Sequence, residues 1–252
     1  MNEILKKSLR IIKSEGLFSF LKKASYHVTR PILIPYFTYK LQREISRIGK
    51  LEDLVDFVFN FKINGLNIAP HQIKEEILEL LKILKELNPK TILEIGTANG
   101  GTLFLFSQVA SPEAIIISID LPGGKFGGGY PIWKAPLYKS FAKDNQKIYL
   151  IRADSHDEKT LEKVKNILGK RKLDFLFIDG DHTYEGVKKD FEMYSKLVKR
   201  GGIIALHDIV YHPFDPECQV DKFWRKLKKL HKTKEIISFP NQTWAGIGLV
   251  FP

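Results

Sequence analysis

Cysteine is nearly absent from this chain: Cys218 is the single thiol among its 252 residues. One cysteine excludes an intramolecular disulfide and any zinc site built from several cysteines. This composition fits a reducing compartment, so we expect a cytoplasmic protein, with contact at the inner membrane face left open. No apolar run is long enough to cross a bilayer. Basic residues also interrupt any signal-peptide core near the start, namely Lys6, Lys7, Arg10 and Lys13.

Acidic residues are outnumbered by basic ones, 29 to 40, which gives a formal net charge of +11. Such a charge is compatible with nucleic-acid binding. The lysines, however, lie mostly on polar faces of predicted helices, and no motif with interleaved aromatic residues is present in the central part of the chain. We therefore interpret the charge as a solvated surface and do not expect nucleic acid as a partner.

The first ninety residues have helical periodicity and no strand-like alternation. Apolar residues from Ile4 to Ile12 recur at helical spacing, and Gly16 interrupts this pattern. The same helical pattern continues after Gly16 until the two prolines of "RPILIPY" (30–36), which are predicted to end the helix. One further helix is predicted from about Tyr39 to Phe59, and another after Pro70. We assign residues 1–69 to a helical N-terminal extension. It is expected to be a cap on the core, a contact in a homo-oligomer, or, through residues 1–50, an amphipathic helix on an anionic membrane.

From residue 91 short apolar segments alternate with helical patterns. This alternation predicts an α/β domain over residues 70–252: a Rossmann-like, doubly wound, mainly parallel seven-stranded sheet with an antiparallel last strand. The predicted strands are "TILEIGT", "AIIISID", "KIYLIRAD", "LDFLFIDG", "GIIALHD", "EIISF" and "WAGIGLVF". The predicted helices cover residues 102–110, 136–145, 157–168, 184–199 and 220–230.

A glycine-bearing turn, "LEIGTANGG" (93–101), joins the first strand to a helix. Glycine lets a backbone approach a ligand closely, and a helix start offers free N–H groups. The spacing of Gly96, Ala98 and Gly101 is a degenerate form of G-x-G-x-x-G and is weak evidence alone. A tight turn without a ligand is the alternative.

Acidic residues accompany four successive predicted strands. Asp120 ends the second strand, where doubly wound folds place an acid on ribose hydroxyls. Asp154 and Ser155 follow the third strand, Asp179 follows the fourth, and Glu94 lies in the first. Because the carboxyl ends of parallel strands meet at one edge, we expect a ligand-binding crevice there.

These motifs together resemble class I S-adenosylmethionine-dependent methyltransferases, over about residues 70–252. Within them, "FIDGDHTYEGVKKDFE" (177–192) and "GGIIALHD" (201–208) resemble the branch containing macrocin-type sugar and antibiotic O-methyltransferases and cephalosporin hydroxylase-like proteins. The segments "DLPGGKFGGGYP" (120–131) and "RADSHD" (152–157) also resemble that branch. The resemblance implies S-adenosylmethionine as the cofactor and the following cofactor-binding residues: Glu94, Gly96, Thr97, Ala98, Gly100, Asp120, Asp154, Ser155 and Asp179.

The resemblance also implies a divalent cation, Mg²⁺ or Mn²⁺. Similar metal-dependent enzymes hold it with an acid after the fourth strand and an acidic pair after the fifth. Asp179 matches the first position, while His207 and Asp208 match the pair, so a histidine replaces one oxygen ligand. Asp181 is the candidate for the missing oxygen. Imidazole suits Mn, Fe or Zn better than Mg, which weakens the magnesium assignment.

His182 is our candidate for the catalytic base. It lies three residues after Asp179, where similar catechol-type enzymes have a lysine base, and its ordinary pKa of about 6.5 suits proton transfer at neutral pH. His207 is the alternative base, and Asp179 completes the predicted catalytic set. A purely structural role is also open, in which Asp181 or Thr183 caps the next helix.

The resemblance implies methyl transfer to a hydroxyl of a small molecule, and its branch implies a sugar or glycoside as that acceptor. The glycine-rich loop "PGGKFGGGYPIWKAP" (122–136) is predicted to close over the site, with Tyr130 and Trp133 adding apolar contact. The alternatives are an RNA methyltransferase, a nicotinamide dehydrogenase, and a non-enzymatic protein that retains the cofactor-binding fold.

Overall fold

The computed structural model describes residues 13–14, 16–124 and 129–252. The predicted stripe from Ile4 to Ile12 and the centre of the glycine-rich loop, residues 125–128, lie outside the described residues. In the part that the structure describes, no helix is long and apolar enough to cross a membrane. The elements that precede the main sheet are α1 (Leu17–Ile45), α2 (Leu51–Asn60), β1 (Lys62–Ile63), β2 (Leu66–Asn67) and α3 (Lys74–Leu87).

Two predictions for the N-terminal helices are wrong. Helix α1 continues through both Pro31 and Pro35 instead of ending there. A proline inside a helix costs about 3 kcal/mol, but Ile34, Phe37 and Leu41 bury one face of α1 in the core, which offsets that cost. The single helix predicted from about residue 39 to 59 is instead two helices, since α1 ends at residue 45 and α2 begins at residue 51.

A two-stranded hairpin, β1–β2, lies where no strand was predicted. Its turn is Asn64-Gly65, with φ of 47° and 78°. The pairing is antiparallel, with Ile63 opposite Leu66. Asn-Gly is the strongest short sequence signal for such a turn because both residues adopt positive φ readily. The Asn-Gly turn signal is therefore present in the sequence. Strands of only two residues, however, are too short to show the alternation of apolar and polar residues by which strands are predicted.

The predicted fold class is confirmed. The main sheet has seven strands in the order β5-β4-β3-β6-β7-β9-β8, and β9 pairs antiparallel with both of its neighbours. The elements are β3 (Thr91–Ile95), α4 (Gly101–Val109), β4 (Ile115–Asp120), α5 (Ala135–Lys139), β5 (Lys147–Arg152), α6 (Glu158–Leu168), β6 (Leu173–Ile178), α7 (Tyr184–Tyr194), β7 (Val198–His207), α8 (Val220–Leu230), β8 (Lys232–Ile236) and β9 (Ile247–Phe251).

The N-terminal extension packs on one face of this sheet. Phe37 and Val58 belong to the same buried cluster as Ile92 and Phe106. A separate buried cluster, which includes Leu93 and Trp224, covers the opposite face. The strands are apolar on both sides because both faces are covered. The boundary at residue 69 between the extension and the methyltransferase domain stays a prediction. Residues 34–68 share one buried cluster with the sheet.

The order in which the chain adds strands to the sheet changes side between β3 and β6, which are themselves parallel. From β3 it proceeds outward through β4 to β5, and then returns to β6 on the other side of β3. Open α/β sheets bind ligands in the crevice at such a switch point, beyond the carboxyl ends of the strands. Gly96 and Asp179 follow β3 and β6 and therefore flank this crevice.

Candidate active site

The turn after β3 is packed against the end of β6. Gly96 has φ of 98°, and a Cβ atom there would overlap the carbonyl oxygen of Asp179. The backbone N–H of Asp179 donates to Ile95 O at 2.8 Å, and that of Gly96 donates to Ile119 O at 2.8 Å. Only glycine satisfies both the positive φ and the close approach. The position that sequence reasoning assigned to cofactor binding is thus also a structural requirement.

Asp120 fixes the conformation of this turn. Its Oδ2 accepts a hydrogen bond from Ala98 N at 2.9 Å, and its Oδ1 accepts one from Gly129 N at 3.0 Å. Ala98 has φ of 44°, a left-handed conformation that is strained for a residue with a side chain. Burial raises the pKa of Asp120, although the backbone N–H donors from Ala98 and Gly129 oppose that rise. Asp120 therefore joins the two loops that border the crevice.

A cavity of about 220 Å³ opens at the switch point. It brings together the predicted cofactor residues Gly96, Ala98, Asp120, Asp154, Ser155 and Asp179. A smaller cavity of about 30 Å³ adjoins it, shares Gly96, Ala98 and Asp179, and adds Thr97.

Glu94 and Gly100 lie behind the turn and do not line either of these two cavities. Glu94 is fully buried, and Ser118 Oγ donates to its Oε2 at 2.6 Å. Burial raises the pKa of Glu94 to about 8, against the opposing hydrogen bonds from Ser118 and Thr102. A Cβ atom at Gly100 would approach the Tyr138 ring to 2.6 Å. Their cofactor-binding role stays a prediction.

Three predicted metal ligands converge beside these cavities. His207 Nδ1 lies 3.1 Å from Asp179 Oδ1 and 3.3 Å from Asp208 Oδ2. One ligand atom from each of these residues lies within 4.8 Å of the other two. Burial opposes a charge on His207, but Asp208 and Asp179 outweigh that effect and raise its pKa well above the usual value. Conversely, burial would raise the pKa of Asp208, yet His207 holds it well below its usual range.

The spacing of these atoms fits a divalent cation. Metal–ligand bonds of about 2.0–2.2 Å at right angles place neighbouring ligand atoms roughly 3 Å apart. The separations of 3.1 and 3.3 Å around His207 Nδ1 match that value. One imidazole with two carboxylates is a ligand set that suits Mn, Fe or Zn. The residues present therefore fit Mn²⁺, one of the two cations that the resemblance implies, better than they fit Mg²⁺.

His182 lies in the same cluster. Its Nδ1 is 3.1 Å from Asp208 Oδ2, and its Nε2 is 3.5 Å from Asp179 Oδ1. The side chain is 22% exposed, whereas that of His207 is 3% exposed. A base must meet both its substrate and the solvent, so this difference favours His182 over His207 as the proton acceptor.

Asp181 lies apart from the three-residue group. Its Oδ1 accepts from the backbone N–H of Thr183 at 2.9 Å, and its side chain packs against Gly186. The capping interpretation is confirmed for Thr183, whose Oγ1 accepts from Gly186 N at 3.0 Å. The structure thus gives no support to Asp181 as the missing oxygen ligand; it lines the larger cavity instead.

Two further residues that sequence reasoning missed touch the cluster. Gln72 Nε2 donates to Asp179 Oδ2 at 2.7 Å, and His212 Nε2 lies 3.1 Å from Asp208 Oδ1. Gln72 comes from the segment before α3, and no strand pattern marks it. His212 follows Asp208 by four residues in an irregular loop. No periodicity in the sequence could have found either.

A buried ion pair supports the wall of the larger cavity and was also missed. His156 lines that cavity, and its Nε2 lies 3.3 Å from Oδ1 of Asp190, which is fully buried in α7. The hydrogen bond to Asp190 raises the pKa of His156, against the opposing effect of burial. The sequence contains this histidine in "RADSHD" (152–157), but our prediction used only Asp154 and Ser155 from that motif.

In the loop predicted to close over the site, Tyr130 belongs to the core. Its side chain is 3% exposed and packs edge-on against Tyr138, at 4.7 Å between ring centroids. Trp133 is partly buried against the same core cluster. The closing motion stays a prediction because residues 125–128 lie outside the described part of the chain.

Comparison with known proteins agrees with this geometry. Residues 93–209 match a family model described as a methyltransferase domain. Tapetum-specific methyltransferase 1 of Arabidopsis thaliana is 30% identical over 203 residues, which cover 80% of this chain and 73% of that protein. An uncharacterized protein of Acanthamoeba polyphaga mimivirus is 31% identical over 180 residues, covering 66% of this chain and 76% of that protein.

Among solved structures, an O-methyltransferase from Bacillus cereus in complex with SAH has the same fold. Its TM-score is 0.57 at 18% identity, and the match covers 87% of this chain and 100% of that one. The sheet order, the antiparallel last strand and the glycine turn at the switch point define a class I methyltransferase. With these relatives, the chain belongs to the class I S-adenosylmethionine-dependent O-methyltransferase family.

Proposed function

We propose that this protein transfers the methyl group of S-adenosylmethionine to a hydroxyl of a sugar or glycoside, and that the reaction uses a divalent cation. One observation carries the proposal: the ligand atoms of Asp179, His207 and Asp208 lie within 4.8 Å of one another. Asp179 also lines both cavities assigned to the cofactor. A cation-binding group and a methyl-donor site thus share one residue.

The chemistry is an in-line displacement in which a carbon–oxygen bond forms as the sulfur–methyl bond breaks. The hydroxyl proton must leave, and His182 is placed to accept it. Asp208 Oδ2, 3.1 Å from His182 Nδ1, stabilises the imidazolium that results. A bound divalent cation would supply Lewis-acid stabilisation of the acceptor oxygen. Gln72 orients the Asp179 carboxylate by its 2.7 Å hydrogen bond.

The acceptor class is supported by two features. The first is the resemblance to macrocin-type sugar O-methyltransferases. The second is a pair of exposed aromatic residues beside the cluster, Tyr211 at 62% and Trp244 at 46% exposure. Tyr211 immediately precedes His212 in the chain, and Trp244 immediately precedes Ala245. The backbone N–H of Ala245 donates to His212 Nε2 at 3.2 Å, which links the two segments. Exposed aromatic faces next to buried polar groups suit a sugar ring, which has an apolar face and hydroxyl edges.

Calorimetric titration with S-adenosylhomocysteine tests the cofactor and the cation together. The protein is treated with a chelator and titrated without metal, with Mg²⁺ and with Mn²⁺. We expect micromolar affinity, on the order of 8 kcal/mol of binding free energy, and methyl transfer to a panel of sugars only when metal is restored. Full activity after complete removal of metal would overturn the cation proposal.

Asp208→Asn and Asp154→Asn form a matched pair for this experiment. Both replace a carboxylate by an amide at the same edge of the sheet, but only Asp208 belongs to the cation-binding group. We expect Asp208→Asn to weaken Mn²⁺ binding ~10- to 100-fold, whereas Asp154→Asn leaves Mn²⁺ binding unchanged. Equal Mn²⁺ affinity in the two variants would contradict the assignment.

A further inference from the structure

A second group of metal-binding side chains lies at the same strand ends. It consists of His182, Asp208 and Cys218, and one ligand atom from each lies within 4.8 Å of the other two. Cys218 is 4% exposed, as is Asp208. His182 lies at the solvent-facing side of the group. The group shares Asp208 with the cluster of Asp179 and His207, but it contains the chain's single thiol.

The main chain holds this group in place. The backbone N–H of Gln219 donates to His182 O at 2.8 Å, which ties the residue after Cys218 directly to His182. The backbone N–H of Cys218 itself donates to Asp215 O at 3.1 Å. Both hydrogen bonds are between backbone groups, so they hold the two segments that carry the thiol and the imidazole close together. The side chains reach the ligand positions by rotation about their own bonds.

The chemistry of the group differs from that of its neighbour. A thiolate with an imidazole and a carboxylate is a soft, mixed set that suits Zn²⁺, whereas Mg²⁺ requires oxygen ligands. Tetrahedral coordination with bonds of about 2.0–2.3 Å places ligand atoms roughly 3.3–3.8 Å apart. The observed 3.1 Å between His182 Nδ1 and Asp208 Oδ2 is close to that value. A small rearrangement of side chains would complete the site, with solvent as the fourth ligand.

We propose that His182, Asp208 and Cys218 form a second metal site, selective for Zn²⁺, and that Zn²⁺ bound there inhibits the enzyme. Coordination releases the thiol proton of Cys218 to solvent. Coordination through Nδ1, the nitrogen that faces Asp208, leaves the ring proton on Nε2, so His182 can no longer accept the proton of the substrate. Zinc binding itself is independent of the proposed function, whereas inhibition rests on it.

Absorption spectroscopy with Co²⁺ tests the binding directly. Co²⁺ replaces Zn²⁺ in such sites, and a sulfur ligand gives an intense charge-transfer band in the near ultraviolet. Since the chain has one cysteine, a sulfur–cobalt band in the metal-titrated wild-type protein must come from Cys218. We expect the band to grow as Co²⁺ is added, to saturate, and to disappear when Zn²⁺ is added. Its absence throughout the titration would overturn the proposal.

Cys218→Ser and Cys218→Ala provide the second measurement. Both variants should lose the sulfur–cobalt band and bind Zn²⁺ at least ~10-fold more weakly, with native circular dichroism as the check on folding. Inhibition by Zn²⁺, relative to each variant's own zinc-free rate, should weaken by the same factor. Unchanged inhibition in both variants would contradict the site. If no acceptor is methylated but the cobalt band is present, the zinc site stands and the proposed function fails.

Discussion

His182 Nδ1 lies 3.1 Å from Asp208 Oδ2, so an imidazole after β6 meets a carboxylate at the end of β7. The same ring approaches Asp179 through its other nitrogen, at 3.5 Å. These contacts hold the ring between two carboxylates at the carboxyl edge of the sheet, and His182 does not line either of the two cavities described. Loss of the imidazole should therefore affect proton transfer and leave the cofactor contacts intact.

His182→Ala is expected to lower kcat by roughly 10²- to 10⁴-fold, the usual contribution of a general base. The affinity for S-adenosylhomocysteine should stay nearly unchanged, because the cavity is lined by other residues. Steady-state kinetics and calorimetry measure the two effects. Asp120→Ala is the contrasting variant, and it should weaken cofactor binding. Full activity in His182→Ala would show that another group is the base.

Gly96→Ala is expected to destabilise the protein by more than ~3 kcal/mol, because the new Cβ would overlap Asp179 O and the φ of 98° is unfavourable. Gly201→Ala is the matched control. Gly201 also has positive φ, 77°, but a Cβ atom there would have nothing within 4 Å. Its expected loss is only ~1–2 kcal/mol. Urea unfolding compares them, and equal losses would show that the contact with Asp179 contributes nothing.

Glu94→Gln is expected to change how stability depends on pH. Burial raises the pKa of Glu94 to about 8 from 4.5, so the folded protein keeps a proton that the unfolded chain has lost between these values. Stability from this group is full below pH 4.5 and falls by about 1.4 kcal/mol per pH unit as the pH rises toward 8. Glutamine keeps an acceptor for Ser118 and removes this slope. Denaturant unfolding at several pH values measures it, and parallel curves for the two proteins would contradict the prediction.

His156→Ala is expected to destabilise the protein by about 3–5 kcal/mol, because it leaves the fully buried Asp190 without its cation. The double variant His156→Ala with Asp190→Asn should lose less than the sum of the single losses. Asp190 raises the pKa of His156, and burial raises the pKa of Asp190 above its usual value. The pair is therefore charged only between these two pKa values, and its coupling is lost as the pH rises through that of His156 or falls through that of Asp190. Double-mutant cycles on both sides of the His156 pKa measure the coupling, and additive losses throughout would disprove it.

The strands of the sheet could be predicted because their residues are apolar without interruption. Segments such as Ile115–Asp120 and Leu173–Ile178 are buried on both faces, and few other structures accommodate such runs between helical patterns. Once the strands were predicted to be parallel, the acids that follow them could be placed at one edge, because the carboxyl ends of parallel strands meet there. The N-terminal helices were predicted less well. The prolines of α1 are local signals, whereas the packing of Phe37 that overrides them comes from distant residues.

The sequence by itself determined the class of fold, the position of the cofactor turn and the side chains at the strand ends, because each follows from local periodicity and from the geometry of parallel strands. Only the tertiary structure decided which of these side chains meet. It separated Asp181 from Asp179 and Asp208, although all three follow strands. It also brought Gln72 to Asp179 across 107 positions of the chain. Gln219, the residue after Cys218, donates its backbone N–H to His182 O and so brings the two segments together. Contacts of this kind depend on the packing of whole elements, and no local pattern of residues records them.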